Sequence, residues 1–240
     1  MRTSGWLPAT ITAVVATTPH ARVLTLDVPA WPGNAPGQHL DVRLTAEDGY
    51  QAERSYSIAS WGPGTAVELA VDEVPDGEVS PYLVRDAQPG DMVEVKGPLG
   101  AYFVWDAADT APVQLVAGGS GIVPLLAMAR AHDVLGSVAP FRMLYSVRSP
   151  EDAMYRAEIE ALGRRSLELT WVYTRRAPDG WGGTVGRLTP ARVAETTWPP
   201  ERRPLTFVCG PTSFVEAVAS ALVAAGHDPA RVRTERFGGT

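Results

Sequence analysis

Seven consecutive residues, Arg54-Ser55-Tyr56-Ser57-Ile58-Ala59-Ser60, bring together a fixed cation, an aromatic ring and three hydroxyls. In an extended segment alternate side chains face opposite sides, so Arg54, Tyr56 and Ile58 share one face and Ser55, Ser57 and Ala59 the other. A guanidinium beside a ring plane suits a ligand that carries both phosphate and a flat ring. The same residues would equally make an ordinary strand rich in Ser and Tyr. A second stretch, Gly118-Gly119-Ser120-Gly121-Ile122-Val123-Pro124, lies between a strand pattern and a helical one. Glycines there let the backbone approach a phosphate, and a helix N-terminus offers free N–H groups and the positive end of its dipole. The spacing is not G-x-G-x-x-G, so a structural turn stays open as well. Cys209-Gly210-Pro211 ends another strand pattern ahead of another helix. A lone cysteine there is either a small buried hydrophobe or a group at the ligand edge of a sheet. None of the four histidines (His20, His39, His132, His227) is near it in sequence, which argues against covalent catalysis. Gly97-Pro98-Leu99-Gly100-Ala101-Tyr102-Phe103 reads as a turn.

The elements that must position these residues change character along the chain. Strand patterns occupy Ala9–Ala16, Val23–Val28, His39–Leu44, Glu53–Ala59, Val67–Val71 and Met92–Val95, with turn-forming composition between them. Short strands at this spacing predict an antiparallel β-barrel or sandwich. Ser80-Pro81 opens a short helix there, with Ser80 as its N-cap. From Asp106–Pro112 onward, strand patterns (Val113–Ala117, Phe141–Val147, Leu167–Tyr173, Leu205–Cys209, Val232–Glu235) alternate with helical ones (Ile122–Leu135, Ala153–Leu162, Ser213–Ala225). That alternation predicts an α/β domain with a mostly parallel sheet. The expected domains are residues 1–108 and 109–240. Arg175–Pro204, rich in Pro, Gly and Arg, reads as a long surface excursion.

Composition narrows the function classes. With 240 residues, 45% hydrophobic and 20% charged, the chain suits one or two globular domains. No apolar run approaches the roughly 18–20 residues that span a bilayer. The N-terminal Met1-Arg2-Thr3-Ser4-Gly5-Trp6-Leu7-Pro8 lacks the apolar core of a secretion signal. A cytoplasmic location is the expectation. One cysteine allows no intrachain disulfide and no four-cysteine iron–sulfur cluster. The net charge of −6 divides unevenly, with 6 basic against 15 acidic residues in 1–110 and 15 against 12 in 111–240. The acidic first part argues against nucleic acid, and the second is better suited to an anion.

In this order and spacing the motifs resemble the ferredoxin–NADP reductase-like flavoprotein family, over almost the whole chain. Pro36-Gly37-Gln38-His39, the Arg54–Ser60 stretch, Gly77-Glu78-Val79-Ser80 and Gly97-Pro98-Leu99-Gly100 resemble its FAD-binding barrel. Gly118–Pro124, Cys209-Gly210-Pro211 and Thr234-Glu235-Arg236-Phe237-Gly238 resemble its nicotinamide-nucleotide domain. The resemblance implies that Arg54 holds the FAD pyrophosphate, Tyr56 stacks on the isoalloxazine and Ser57 hydrogen-bonds near flavin N5. In a regular strand Ser57 points away from that face, so the strand is expected to twist or end there. Val71, Val79 and Ser80 would complete the FAD set, the last two through backbone N–H groups and the serine hydroxyl. Gly118, Gly119, Ser120, Gly121, Ile122, Pro124, Gly210 and Pro211 would line the path of the nicotinamide dinucleotide, with Cys209 beside the nicotinamide. Glu235 and Phe237 match a terminal acid and aromatic near the flavin. Ser57, Cys209 and Glu235 are thus the catalytic candidates, and no metal is implied.

In such a family the cofactors carry the chemistry and the protein aligns them. Arg148 follows the domain's second strand, and Arg175 and Arg176 its third. An arginine there would pair with a 2′-phosphate, so NADPH is the expected donor over NADH. Many members continue into an iron–sulfur domain with four cysteines, which this sequence lacks. Electrons are therefore expected to leave for a separate carrier, a ferredoxin or a flavodoxin. Two alternatives stand beside this: reduction of a small acceptor (free flavin, a ferric chelate, a quinone), and an electron-transfer subunit or flavin sensor without turnover.

Overall fold

The structure, a computed structural model, describes residues 5–238. Residues 1–4, part of the stretch read above as non-secretory, and residues 239–240 at the chain's end lie outside them. Two compact units divide between Val104 and Trp105, four residues before the expected boundary. The shift follows from Trp105, a buried side chain whose ring meets Phe141 edge-on at 5.0 Å and His132 at 6.2 Å in the second unit.

The first unit has six strands: β1 (Leu7–Thr18), β2 (Ala21–Asp27), β3 (His39–Thr45), β4 (Gln51–Ser57), β5 (Ala66–Asp72) and β6 (Met92–Leu99). They form one sheet in the order β4-β3-β6-β1-β2-β5 with every pairing antiparallel. A bridge from Ile58 to Leu69 joins the two edges, so the sheet closes on itself. Alternation explains the core: Leu24, Leu26, Leu40, Val42, Val67 and Val95 point inward and are buried, while their strand neighbours are not. Each such aliphatic side chain taken from water is worth about 1.5–3 kcal/mol. Gly97 to Leu99, expected as a turn, instead continue β6, because a Cβ on Gly97 would stand 2.9 Å from Leu40 Cβ and 3.0 Å from the Trp31 ring.

The second unit carries β7 (Val113–Gly118), β8 (Phe141–Val147), β9 (Glu168–Tyr173), β10 (Leu205–Pro211) and β11 (Val232–Phe237), with helices α1 (Ile122–Leu135), α2 (Arg156–Gly163), α3 (Pro190–Thr196) and α4 (Thr212–Ala224). The sheet is fully parallel in the order β11-β10-β7-β8-β9. β7 and β8 are almost wholly buried, and apart from Gln114, Arg142 and Ser146 their residues are apolar or aromatic. The strand order reverses between β7 and β10, leaving a crevice beyond their carboxyl ends where such sheets take ligands. The expected excursion over 175–204 is only partly one. Thr189 caps α3, accepting a bond from the Arg192 N–H, and α3 buries Val193. Trp198 is buried between the guanidinium groups of Arg142, at 3.8 Å, and Arg202, at 4.2 Å.

Candidate functional site

In the barrel the site residues lie on β4. It pairs regularly with β3 from Gln51 opposite Thr45 to Ser57 opposite His39. The chain then changes partner: the Ile58 N–H donates to Gln38 O at 3.0 Å, and the Ala59 N–H to Glu68 O on β5 at 2.8 Å. The strand therefore ends at Ser57, at the point where the barrel closes. The face shared by Ala52, Arg54, Tyr56 and Ile58 is the inner one. Ala52 and Ile58 belong to the core, and Tyr56 packs half-buried against it. Burial pushes the Tyr56 hydroxyl up, and the nearby Arg54 charge offsets this only in part, so the ring stays a neutral phenol. Arg54, 52% exposed, lies on this face where it meets solvent.

Arg54 is held by two contacts. Its Nη1 donates to Glu53 O at 2.6 Å and its Nη2 to Glu78 Oε2 at 2.9 Å. The other Glu78 oxygen accepts from the Tyr50 hydroxyl at 2.5 Å. That hydrogen bond, and then the one from Arg54, hold the Glu78 carboxyl below its ordinary value. Glu78 opens the turn that leads to Val79 and Ser80. The helical turn beyond them begins its bonding with the Leu83 N–H to Val79 O at 3.2 Å, which leaves the N–H groups at Val79 and Ser80 ahead of the first intrahelical bond. The Ser80 hydroxyl does not cap this turn. It accepts from the Val74 N–H at 3.0 Å and is buried, closing the loop 74–80 on itself. The expected short helix is present, as a π-helical turn over Tyr82–Asp86. Val71 and Val79, both expected in the FAD set, are fully buried in the barrel core, so neither offers its side chain to a ligand. His39, opposite Ser57, is half-buried, and burial lowers its pKa against the pull of Asp41.

In the second unit the expected loop divides sharply. Gly119 and Ser120 reach the surface, whereas Gly118, Gly121, Ile122 and Pro124 are buried. The buried glycines serve packing. A Cβ on Gly121 would lie 2.2 Å from Cys209 O, so only glycine lets α1 start this close to β10. A Cβ on Gly118 would stand 2.7 Å from the Phe214 ring, and one on Gly210 2.9 Å from the same ring. Phe214, which motif reading passed over, thus lies across both glycines at the switch point. Its signal was an aromatic three residues after Pro211, at the start of a helix. Gly119 takes φ +54 in open space. Among Gly118, Gly119 and Gly121 it alone takes a positive φ.

Cys209 is fully buried rather than open at the sheet edge. Burial, with the Glu235 carboxylate adding to it, pushes its thiol well up, so it is neither thiolate nor nucleophile. It pairs in register with Ala117 and Glu235, and Pro211 with Phe237, which is 36% exposed. Arg148 and Arg175 are exposed at the carboxyl ends of β8 and β9, joined by the Arg175 N–H to Arg148 O at 3.0 Å. Neither guanidinium meets a partner among the described residues. Arg176 is instead paired with Glu151.

The donor set of the barrel fits a flavin dinucleotide: an exposed guanidinium for phosphate, N–H groups at the buried Val79 and Ser80 that meet no acceptor among the described residues, and a neutral ring face at Tyr56. A second nucleotide suits the switch point of the parallel sheet, where Gly119 and Ser120 reach the surface. A chain with both is an oxidoreductase of the two-nucleotide class.

Two family models match it, an oxidoreductase FAD-binding domain over residues 9–104 and an oxidoreductase NAD-binding domain over residues 115–220. The chain belongs to the ferredoxin–NADP reductase-like flavoprotein family. It is 32% identical over 212 residues to the glycine betaine monooxygenase reductase subunit of Chromohalobacter salexigens, covering 85% of this chain and 56% of that protein. It is 28% identical over 202 residues to the toluate 1,2-dioxygenase electron transfer component of Pseudomonas putida, covering 84% of this chain and 58% of that one. The chain thus spans little more than half the length of these curated relatives. The fold is shared with a ferredoxin NADP+ reductase from Neisseria gonorrhoeae, at a TM-score of 0.83 and 21% identity over 96% of this chain and 98% of that one. Among the described residues no helix is long and apolar enough to cross a membrane.

Proposed function

We propose that this oxidoreductase takes hydride from NADPH onto FAD and passes the electrons singly to a separate redox protein of an oxygenase system, either the oxygenase component or a ferredoxin or flavodoxin that serves it. The observation that carries the reading is the end of β4, where Arg54 and Tyr56 share one face and the strand stops at Ser57. FAD, when bound, supplies a two-electron acceptor able to release electrons one at a time. The protein's part is alignment. Arg54 and the N–H groups at Val79 and Ser80 hold the diphosphate, Tyr56 supports the ring, and Ser57 offers a hydroxyl where the strand terminates. Neutral Cys209 supports the sheet from within, and Glu235 and Phe237 stand at the ligand end of β11. The relatives' names, a monooxygenase reductase subunit and a dioxygenase electron transfer component, support a protein acceptor.

NADPH is favoured because Arg148 and Arg175 form an exposed pair of cations side by side at two strand ends, where a 2′-phosphate would find them. Steady-state kinetics with NADPH and NADH test this. Wild type should prefer NADPH at least about tenfold in kcat/KM, and R148A and R175A should each lose most of that preference through KM. Equal efficiency with both nucleotides, or a preference untouched by both substitutions, contradicts it. Rapid reduction of free flavin, ferric chelate or quinone at the same rate as of a carrier protein would favour the small-acceptor reading.

A further inference from the structure

Glu78 occupies the cation that the proposed function gives to the flavin diphosphate. The Arg54 Nη2 donates to Glu78 Oε2 at 2.9 Å, while Nη1 is tied to the backbone at Glu53 O at 2.6 Å. The guanidinium is therefore pinned by its own strand on one side and met by a carboxylate on the other. A carboxylate and a phosphate take the same N–H groups in the same planar geometry. Glu78 also directly precedes Val79 and Ser80, so it belongs to the same turn as the N–H groups given to the diphosphate.

The second Glu78 oxygen accepts from the Tyr50 hydroxyl at 2.5 Å, which braces the carboxylate in this position. Arg54 is 52% and Glu78 46% exposed, so the pair is an exposed one, weak enough to be broken by a better anion. There is room for the displaced side chain. Glu78 and Tyr50 both line a cavity of about 550 Å³ at the end of the barrel, with Leu44, Ala52, Tyr82 and Met92 among its walls.

We propose that Glu78 is an internal competitor for the flavin diphosphate: its carboxylate holds Arg54 in the site and must swing off that guanidinium for phosphate to bind. The inference rests on the FAD reading and on Arg54 as the phosphate ligand. It makes flavin affinity a difference between two anions for one cation, set lower than the site's own donors would give. Glu78→Gln keeps the side chain's shape and a hydrogen bond to Tyr50 but removes the competing charge.

The test is titration of the apoprotein with FAD, read by quenching of flavin fluorescence, with riboflavin as the phosphate-free probe. E78Q should bind FAD about two- to fivefold more tightly than wild type in low salt, the range an exposed ion pair can supply. The gain should shrink at high ionic strength, and riboflavin affinity should not change. FAD affinity unchanged or weakened in E78Q, or riboflavin tightened as much as FAD, overturns the proposal. R54A keeps this separate from the reading beneath it. If R54A weakens FAD while E78Q fails to strengthen it, Glu78 is no competitor although Arg54 holds phosphate. If R54A leaves FAD affinity unchanged, the phosphate role of Arg54 falls with it.

Discussion

Arg54 carries a charge that a phosphate and Glu78 can both claim, and most of the barrel site follows from how that charge is shared. A hydrogen bond to a charged group is worth about 1.5–3 kcal/mol, so Arg54→Ala should weaken FAD by about 10- to 100-fold with the fold intact. Equilibrium titration checks this, and an unchanged Kd would remove Arg54 from the site. Cys209 makes the opposite point. Its position at a strand end beside Gly210-Pro211 suggested a ligand-facing group, yet the side chain is fully buried and its thiol is held neutral. Native Cys209 should react with an aromatic disulfide reagent at least about 100-fold more slowly than in the denatured chain, since only thiolate at the surface reacts. Rapid labelling of the folded protein would show an open cysteine. The residues of the Arg54–Ser60 stretch were legible because type and alternation alone place a cation and a ring on one face. Glu78 was not: it lay inside a quoted motif, but nothing in sequence says that a loop carboxylate 24 positions away folds back onto Arg54.

At the scale of elements, glycines that look alike in sequence do different work. Gly119 bends the backbone into a left-handed conformation with open space around it, whereas Gly121 brings a helix start onto the carbonyl of a neighbouring strand. Gly119→Ala should cost about 1–2 kcal/mol, the penalty of that backbone region. Gly121→Ala forces a methyl to 2.2 Å from Cys209 O and should cost more, about 3 kcal/mol or above. Thermal denaturation of the two variants ranks them, and a smaller loss for Gly121→Ala would contradict the packing role. Strand and helix identities were legible from the apolar pattern, as in β8, whose mostly apolar residues are buried on both faces. What escaped was tertiary. Ser80 looked like an N-cap, but its hydroxyl is taken by the Val74 N–H of the turn before it. The Arg- and Pro-rich 175–204 segment looked solvated, but it anchors Trp198 between two guanidinium groups.

At the scale of the molecule, one unit offers an aromatic face and a phosphate-matched cation, and the other a topological switch point with an open Gly119-Ser120 loop. The boundary falls at Trp105 because the tryptophan buries itself with Phe141 and His132, a preference that composition around residues 106–112 could not display. Family membership makes flavin and nicotinamide nucleotide the two ligands. The central claim is that this chain binds FAD at Arg54–Ser57 and reduces it with NADPH. Its most direct measurement is the visible spectrum of the FAD-reconstituted protein, recorded anaerobically before and after stoichiometric NADPH, in wild type and in R54A. The expected result is a flavin band that bleaches in wild type, with R54A holding far less FAD under the same conditions. A colourless wild type that takes up no added FAD, or a bound flavin that NADPH leaves unbleached, would contradict it.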